Sequence, residues 1–237
     1  MYITTDRVIL TFVVQAILSL VFGYIAQSIL RRKKNQLNKY FALFFIFLTV
    51  GNVINIIYVL IFAYSGLGDI VVILHLITNF FNFFGLGFLY VVNQIILKSA
   101  MVFSKKDIMR YLIGYGVILI VGSIIIQLFD GVSMSSSGYP VWSIYYFIFI
   151  LSITIIIALI PIIISSFRIY QQLEGKEIKR RYLSFFAGIL GLIPLLITIF
   201  ISNYLNIANM RTIVSFVSVS MILWVLLIYY GLRRRTK

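Results

Sequence analysis

No cysteine occurs in the 237 residues, and acidic residues are almost as scarce, with six Asp and Glu against 20 Lys and Arg. The first absence removes disulfides, thiolate nucleophiles and zinc–thiolate sites together. The second is sharper, because all six acids lie in loops, termini or at the edges of apolar runs. A proton relay, a cation-coupled site or a paired-carboxylate hydrolase needs an acid inside such a run, so none of these is expected. Gly-rich phosphate loops, Gly-x-Ser-x-Gly and His-Glu-x-x-His are missing as well. The single histidine, His75, has no acid at ligand spacing, so no metal is expected. A protein that is not an enzyme and carries no cofactor is the expectation.

What is present is apolar: 62% of the residues are hydrophobic and the mean hydropathy is +1.09. Seven apolar runs stand out, at about 8–30, 40–64, 70–97, 111–129, 141–167, 182–206 and 212–232. Each is long enough to cross roughly 30 Å of hydrocarbon at about 1.5 Å per residue. Barrel strands alternate polar and apolar positions, whereas the run from Ile155 to Ile160 is apolar throughout. The first run ends in Arg31-Arg32-Lys33-Lys34 and not in a small-residue cleavage site, so it reads as an anchor. The fold expected is an all-α membrane protein: one seven-transmembrane-helix bundle over residues 1–237, without a soluble domain.

A net charge of +14 can mean nucleic acid, so its placement has to decide. Runs one, three, five and seven are followed by Arg31, Arg32, Lys33, Lys34 and Lys39; by Lys98, Lys105, Lys106 and Arg110; by Arg168, Lys176, Lys179, Arg180 and Arg181; and by Arg233, Arg234, Arg235 and Lys237. Only Arg7 and Arg211 fall on the other side. The positive-inside rule then puts the N-terminus outside and the C-terminus in the cytoplasm of a multi-pass cell-membrane protein. Arg31, Arg32, Lys33, Lys34, Arg180, Arg181, Arg233, Arg234 and Arg235 read as a cytoplasmic basic anchor on anionic headgroups. The bilayer is the expected partner, and nucleic acid is not.

The loop Asp130–Pro140 is rich in Ser and Gly and reads as a mobile flap. Around Gly175 the fifth and sixth helices are expected to extend past the membrane. Tyr139, Trp142, Tyr145 and Tyr146 at one side, and Tyr170, Tyr182, Tyr229 and Tyr230 at the other, have the placement of an interfacial belt. Pro161 and Pro194 sit mid-run and are expected to kink their helices.

Polar residues inside apolar runs mark helix faces turned to other helices or to a cavity. His75, Asn79, Asn82 and Asn93 recur at helical spacing along one stripe of the third run. Asn52 and Asn55 share a face of the second, and Ser19-x-x-x-Gly23 in the first suits close helix approach. One reading is a ligand pocket in the outer half of the bundle, built from His75, Asn79, Asn82, Asn52 and Asn55; the other is interhelical hydrogen bonds that fix packing. Asn suits a neutral ligand better than an ion. Arg211 opens the last run, where the ordinary reading is a side chain reaching to headgroups and the sharper one is a ligand carboxylate.

Three stretches carry a likeness: Arg31-Arg32-Lys33-Lys34 leading to Asn52, the run from Lys179 through Arg180-Arg181-Tyr182 to Ile189, and Leu227-Ile228-Tyr229-Tyr230-Gly231-Leu232-Arg233. In these the chain resembles the N-terminal seven-helix sensor region of prokaryotic histidine kinases and diguanylate cyclases. The resemblance implies sensing of a ligand from outside or within the membrane. With the sequence ending at Lys237, before any kinase or cyclase, it implies a stand-alone module that signals through a cytoplasmic partner. The expectation is therefore a receptor-like sensor for a small molecule, with a neutral-solute permease or an accessory subunit of a membrane complex as alternatives.

Overall fold

The computed structural model describes residues 5–32 and 34–232, with the side chains of all these except 5, 6, 10 and 99–102. It is 86% helical, and seven helices are long and apolar enough to cross a membrane. They are Thr11–Leu30, Gln36–Ser65, Gly68–Lys98, Lys105–Gln127, Ile144–Gln172, Lys176–Leu205 and Ala208–Gly231, called here the first to the seventh helix. The chain is thus a multi-pass membrane protein. Short connections make successive helices antiparallel, so the clustered Lys and Arg residues share one end of the bundle, the basic end. Of the basic anchor, Arg31, Lys34 and Arg180 are exposed and Arg32 and Arg181 half-buried; Lys33, Arg233, Arg234 and Arg235 lie outside the described residues.

The helices outrun the apolar runs at the basic end because capping chemistry, which hydropathy does not register, starts them early. Ser104 and Asp107 form a reciprocal capping box in front of the fourth helix, with bonds of 3.2 and 3.3 Å to each other's backbone N–H. In the sixth helix Arg181 donates to Glu177 one turn earlier at 2.7 Å. Gly175, at φ 85°, turns the chain between the fifth and sixth helices, which extend to Gln172 and from Lys176 as anticipated.

The segment expected to form a flap folds as a hairpin. Strand β1 (Val132–Met134) pairs antiparallel with β2 (Pro140–Trp142), Val132 opposite Trp142. The Gln127 side chain closes the turn before it, donating to the Val132 carbonyl at 3.2 Å and accepting its N–H at 2.9 Å. Val132, Tyr139 and Trp142 are buried, so the hairpin is pinned to the bundle by its own apolar side chains. The belt expected there is corrected in the same way: Tyr139, Trp142 and Tyr146 point inward, and only Tyr145 is exposed.

Thr154–Leu159 winds as a π-helix just before Pro161. Proline has no N–H for the Ile157 carbonyl, and the Tyr111 hydroxyl of the fourth helix donates to that oxygen at 3.1 Å. Tyr111→Phe is therefore expected to cost about 1 kcal/mol, a fall of roughly 2–4 °C in the melting midpoint in detergent. In a Pro161→Ala background, which restores the backbone donor, most of that loss should disappear. Equal losses in both backgrounds would refute the exchange. Pro194 lies within the continuous sixth helix.

The sixth and seventh helices meet at glycine. A Cβ on Gly188 would fall 2.6 Å from the Trp224 carbonyl oxygen and 2.9 Å from the Ile228 nitrogen, so backbone packs on backbone there. Gly23, expected to play that part in the first helix, has ordinary room, with its nearest neighbour at 3.8 Å. Toward the basic end Phe41, Phe44, Phe45, Tyr182, Phe185 and Ile228 are all buried.

Candidate functional site

A cavity of about 180 Å³ opens among the first, second, third, sixth and seventh helices, capped by β2. His75, Asn79, Asn82, Asn52, Asn55 and Arg211 all line it. Asn93, the fourth member of the expected stripe, does not. Its amide donates to the Ile162 carbonyl and the Ser165 and Ser166 hydroxyls at 3.1, 3.2 and 2.7 Å, tying the third helix to the fifth. The stripe is long enough to serve two purposes on one face.

His75 forms a knot of elements. The Trp142 indole N–H of β2 donates to its Nε2 at 2.9 Å, and the Asn79 amide lies 3.0 Å from the same nitrogen. The Tyr58 hydroxyl of the second helix sits 3.3 Å from Nδ1. An indole only donates, so Nε2 is the acceptor and Nδ1 carries the ring proton toward Tyr58. Asn79 also donates to the Tyr146 hydroxyl of the fifth helix at 3.2 Å. The ring and Asn79 together therefore join the second, third and fifth helices and the hairpin, and both ring nitrogens are committed.

Beside this knot lie two buried arginines. Arg211 is 7% exposed, which corrects the picture of a side chain reaching to headgroups. It donates to Asn203, to the Pro140 carbonyl at 2.7 Å and to Asn206 at 3.3 Å. Arg7, only 3% exposed, donates to the Tyr58 hydroxyl at 3.2 Å. Both guanidinium carbons lie over the Tyr139 ring, at 4.6 and 4.7 Å from its centroid. Among the described side chains no carboxylate pairs with either, and the one ion pair is Arg181–Glu177. The Nε of each arginine and the Tyr139 hydroxyl are buried without a partner, as are Gln15 Oε1, Asn55 Oδ1 and Thr78 Oγ1.

The lining changes character along its length. Arg7, Tyr58, His75, Tyr139 and Arg211 occupy the hairpin end, and the asparagines Asn52, Asn55 and Asn82 follow. Deeper come Leu18, Phe22, Leu86, Leu192, Leu196 and Val225. Phe44 and Tyr58 stand fourteen residues apart on the second helix and both line the cavity, which therefore runs along about 20 Å of bundle. Asn82 fits because its neighbour on the second helix is Gly51, where a Cβ would strike its side chain.

Tyr58 and Asn203 were not singled out from sequence, Tyr139 and Trp142 were read only as an interfacial belt, and Arg7 only as a basic residue away from the clustered ones. Arg7 carried a signal, as one of only two basic residues away from the basic end; the hairpin residues carried none beyond their aromatic character. Compared with known protein families, with characterised proteins and with solved structures, the chain matches none of them.

Proposed function

We propose that this multi-pass protein is a receptor-like sensor of the cell membrane, with its N-terminus and hairpin outside and its C-terminus in the cytoplasm. On this reading a small ligand binds in the outer half of the bundle and a cytoplasmic partner reads the basic end. The observation that carries it is the cavity itself: five helices and the hairpin converge on buried polar atoms that have no protein partner. Such atoms are costly in an apolar interior unless something satisfies them. The aromatic packing toward the basic end argues for sensing over permeation, since it fills the path a solute would take. Binding is favoured over catalysis because the one ring suited to act as a base has both nitrogens engaged. A ligand that prefers one packing of the bundle would shift the population of inner-loop conformations.

Orientation is tested with single cysteines, for which the cysteine-free chain is a ready background. Ser136→Cys in the hairpin turn should react with an impermeant maleimide in intact cells, and Glu174→Cys only after permeabilisation. The reverse pattern would invert the topology. Sensing is tested with spin labels at Gln171→Cys and Ile178→Cys, either side of the inner turn. A small-molecule extract of the producing cells should shift their distance distribution, and Asn52→Leu with Asn82→Leu should abolish the shift. An unchanged distribution together with solute uptake into proteoliposomes would replace the sensor by a permease.

A further inference from the structure

Building on the sensor reading, we infer that the cavity takes an amphipathic organic anion, a carboxylate with one narrow apolar tail. Arg7 and Arg211 would hold the head, and the Leu192–Leu196–Val225 wall the tail.

Three observations converge on that chemistry. The two guanidinium carbons lie within 4.7 Å of the same ring centroid, so both cations gather at one aromatic side chain. Among the described residues their hydrogen-bond acceptors are neutral: a tyrosine hydroxyl, two asparagine amides and one carbonyl. Two like charges so placed, away from water, are stabilised by an anion that fits between their remaining donors. Each keeps a buried Nε–H without an acceptor, and the Tyr139 hydroxyl beside them is unpartnered as well. Planar guanidinium donors match the two oxygens of a carboxylate. The Tyr58 hydroxyl adds a further donor, because it accepts from Arg7 and from His75 and its own proton remains free to turn toward a bound oxygen.

The asparagines explain the middle of the cavity and the leucines its floor. A head bound at Arg7 and Arg211 would direct its tail past Asn82 toward Leu86, Leu192 and Val225. Size argues against a two-chain lipid, since about 180 Å³ is far too little for two long acyl chains. A single flexible chain suits a narrow passage about 20 Å long. The neutral ligand suggested by the asparagines alone gives way to a charged one, because Arg211, whose sharper reading was already a ligand carboxylate, is joined at the same cavity by Arg7.

The experiment uses the full chain in phosphatidylcholine nanodiscs, titrated with hexanoate, octanoate and decanoate, with 1-decanol and inorganic phosphate as controls. Binding is read from the rise in melting midpoint, which follows ligand concentration over Kd. Each added methylene is expected to tighten binding by up to about fourfold. Decanol should bind at least tenfold more weakly than decanoate, and phosphate should not bind. Arg7→Gln and Arg211→Gln should each weaken decanoate at least tenfold. Asp6→Asn, which removes the carboxylate beside Arg7 in sequence, should leave it as tight or tighter. Leu196→Phe spares the head site, so it should retain hexanoate while decanoate loses its advantage; it serves if an arginine variant does not fold.

Equal binding of decanol and decanoate, or arginine variants that bind like the parent, would overturn the inference. Phosphate binding as tightly as decanoate would make the site one for a free inorganic anion. Displacement of decanoate by phosphatidylglycerol in the nanodisc would make it a lipid-headgroup site; either result overturns the single-tail ligand. Decanoate binding that leaves the Gln171→Cys/Ile178→Cys distances unmoved would preserve the anion site and remove the sensor. A response to the cell extract but to no acid of the series would do the opposite.

Discussion

Replacing His75 by leucine is expected to destabilise the bundle by about 2–4 kcal/mol, the largest effect of any single substitution at the hairpin end. The change strands the Trp142 N–H, one Asn79 amide hydrogen and the Tyr58 contact together, each in an interior with no water to replace the lost partner. Thermal unfolding in detergent should show the midpoint falling by roughly 5–15 °C. His75→Gln is the informative companion. Its amide oxygen can accept from Trp142 and its amide nitrogen can donate toward Tyr58, so it should recover about half the loss. If leucine and glutamine are equally harmful, the site depends on the shape of the ring and not on its hydrogen bonds. If leucine is harmless, the knot contributes nothing to stability.

The second large effect is expected where the sixth and seventh helices meet. Gly188→Ala adds one carbon, but that carbon would meet backbone atoms of Trp224 and Ile228, which cannot rotate away as a side chain does. The helices must separate, at a cost of about 1–3 kcal/mol, or roughly 3–10 °C in melting midpoint. Gly114→Ala on the fourth helix is the control, since nothing lies within 4 Å of its added carbon. It should be neutral or stabilise by up to about 1 kcal/mol. A cost at Gly188 no larger than at Gly114 would show that the close approach is not needed.

The helices were legible in the sequence because hydrocarbon permits so few alternatives. A chain crossing it must satisfy its backbone internally, and an apolar run of twenty residues leaves only the helix. The polar stripe of the third helix was legible for the same reason, and His75, Asn79 and Asn82 do face one cavity with Asn52, Asn55 and Arg211. Asn93 shows the limit of that periodicity, which identifies a face but not what lies opposite. Tyr139 and Trp142 were misplaced because an interfacial aromatic and a buried one have the same composition and the same distance from a span end. Only the pairing of β1 with β2, short strands interrupted by Ser and Gly, turns them inward. Arg7 was passed over because its partners, Tyr58 and Tyr139, are 51 and more residues away, a proximity that no local pattern encodes.

The seam between the first and the last helix has a consequence for biogenesis. At one end Ser28 meets the Tyr229 hydroxyl at 2.7 Å and Arg32 lies over the same ring. At the other, Arg7 and Arg211 share Tyr139. A chain threaded into the membrane from its N-terminus presents Arg7 first, the hairpin ring after four crossings and Arg211 after six. The ring of helices thus closes only when synthesis is nearly complete. A nascent chain stalled before the seventh helix has Arg7 and the asparagines of the cavity without the wall that Arg211, Val214 and Val225 supply. Such an intermediate is the kind of substrate that intramembrane quality control can recognise. The same order of assembly makes the seventh helix a separable part. Supplied in trans as its own polypeptide, it should restore to a six-helix fragment the protease resistance that the fragment lacks.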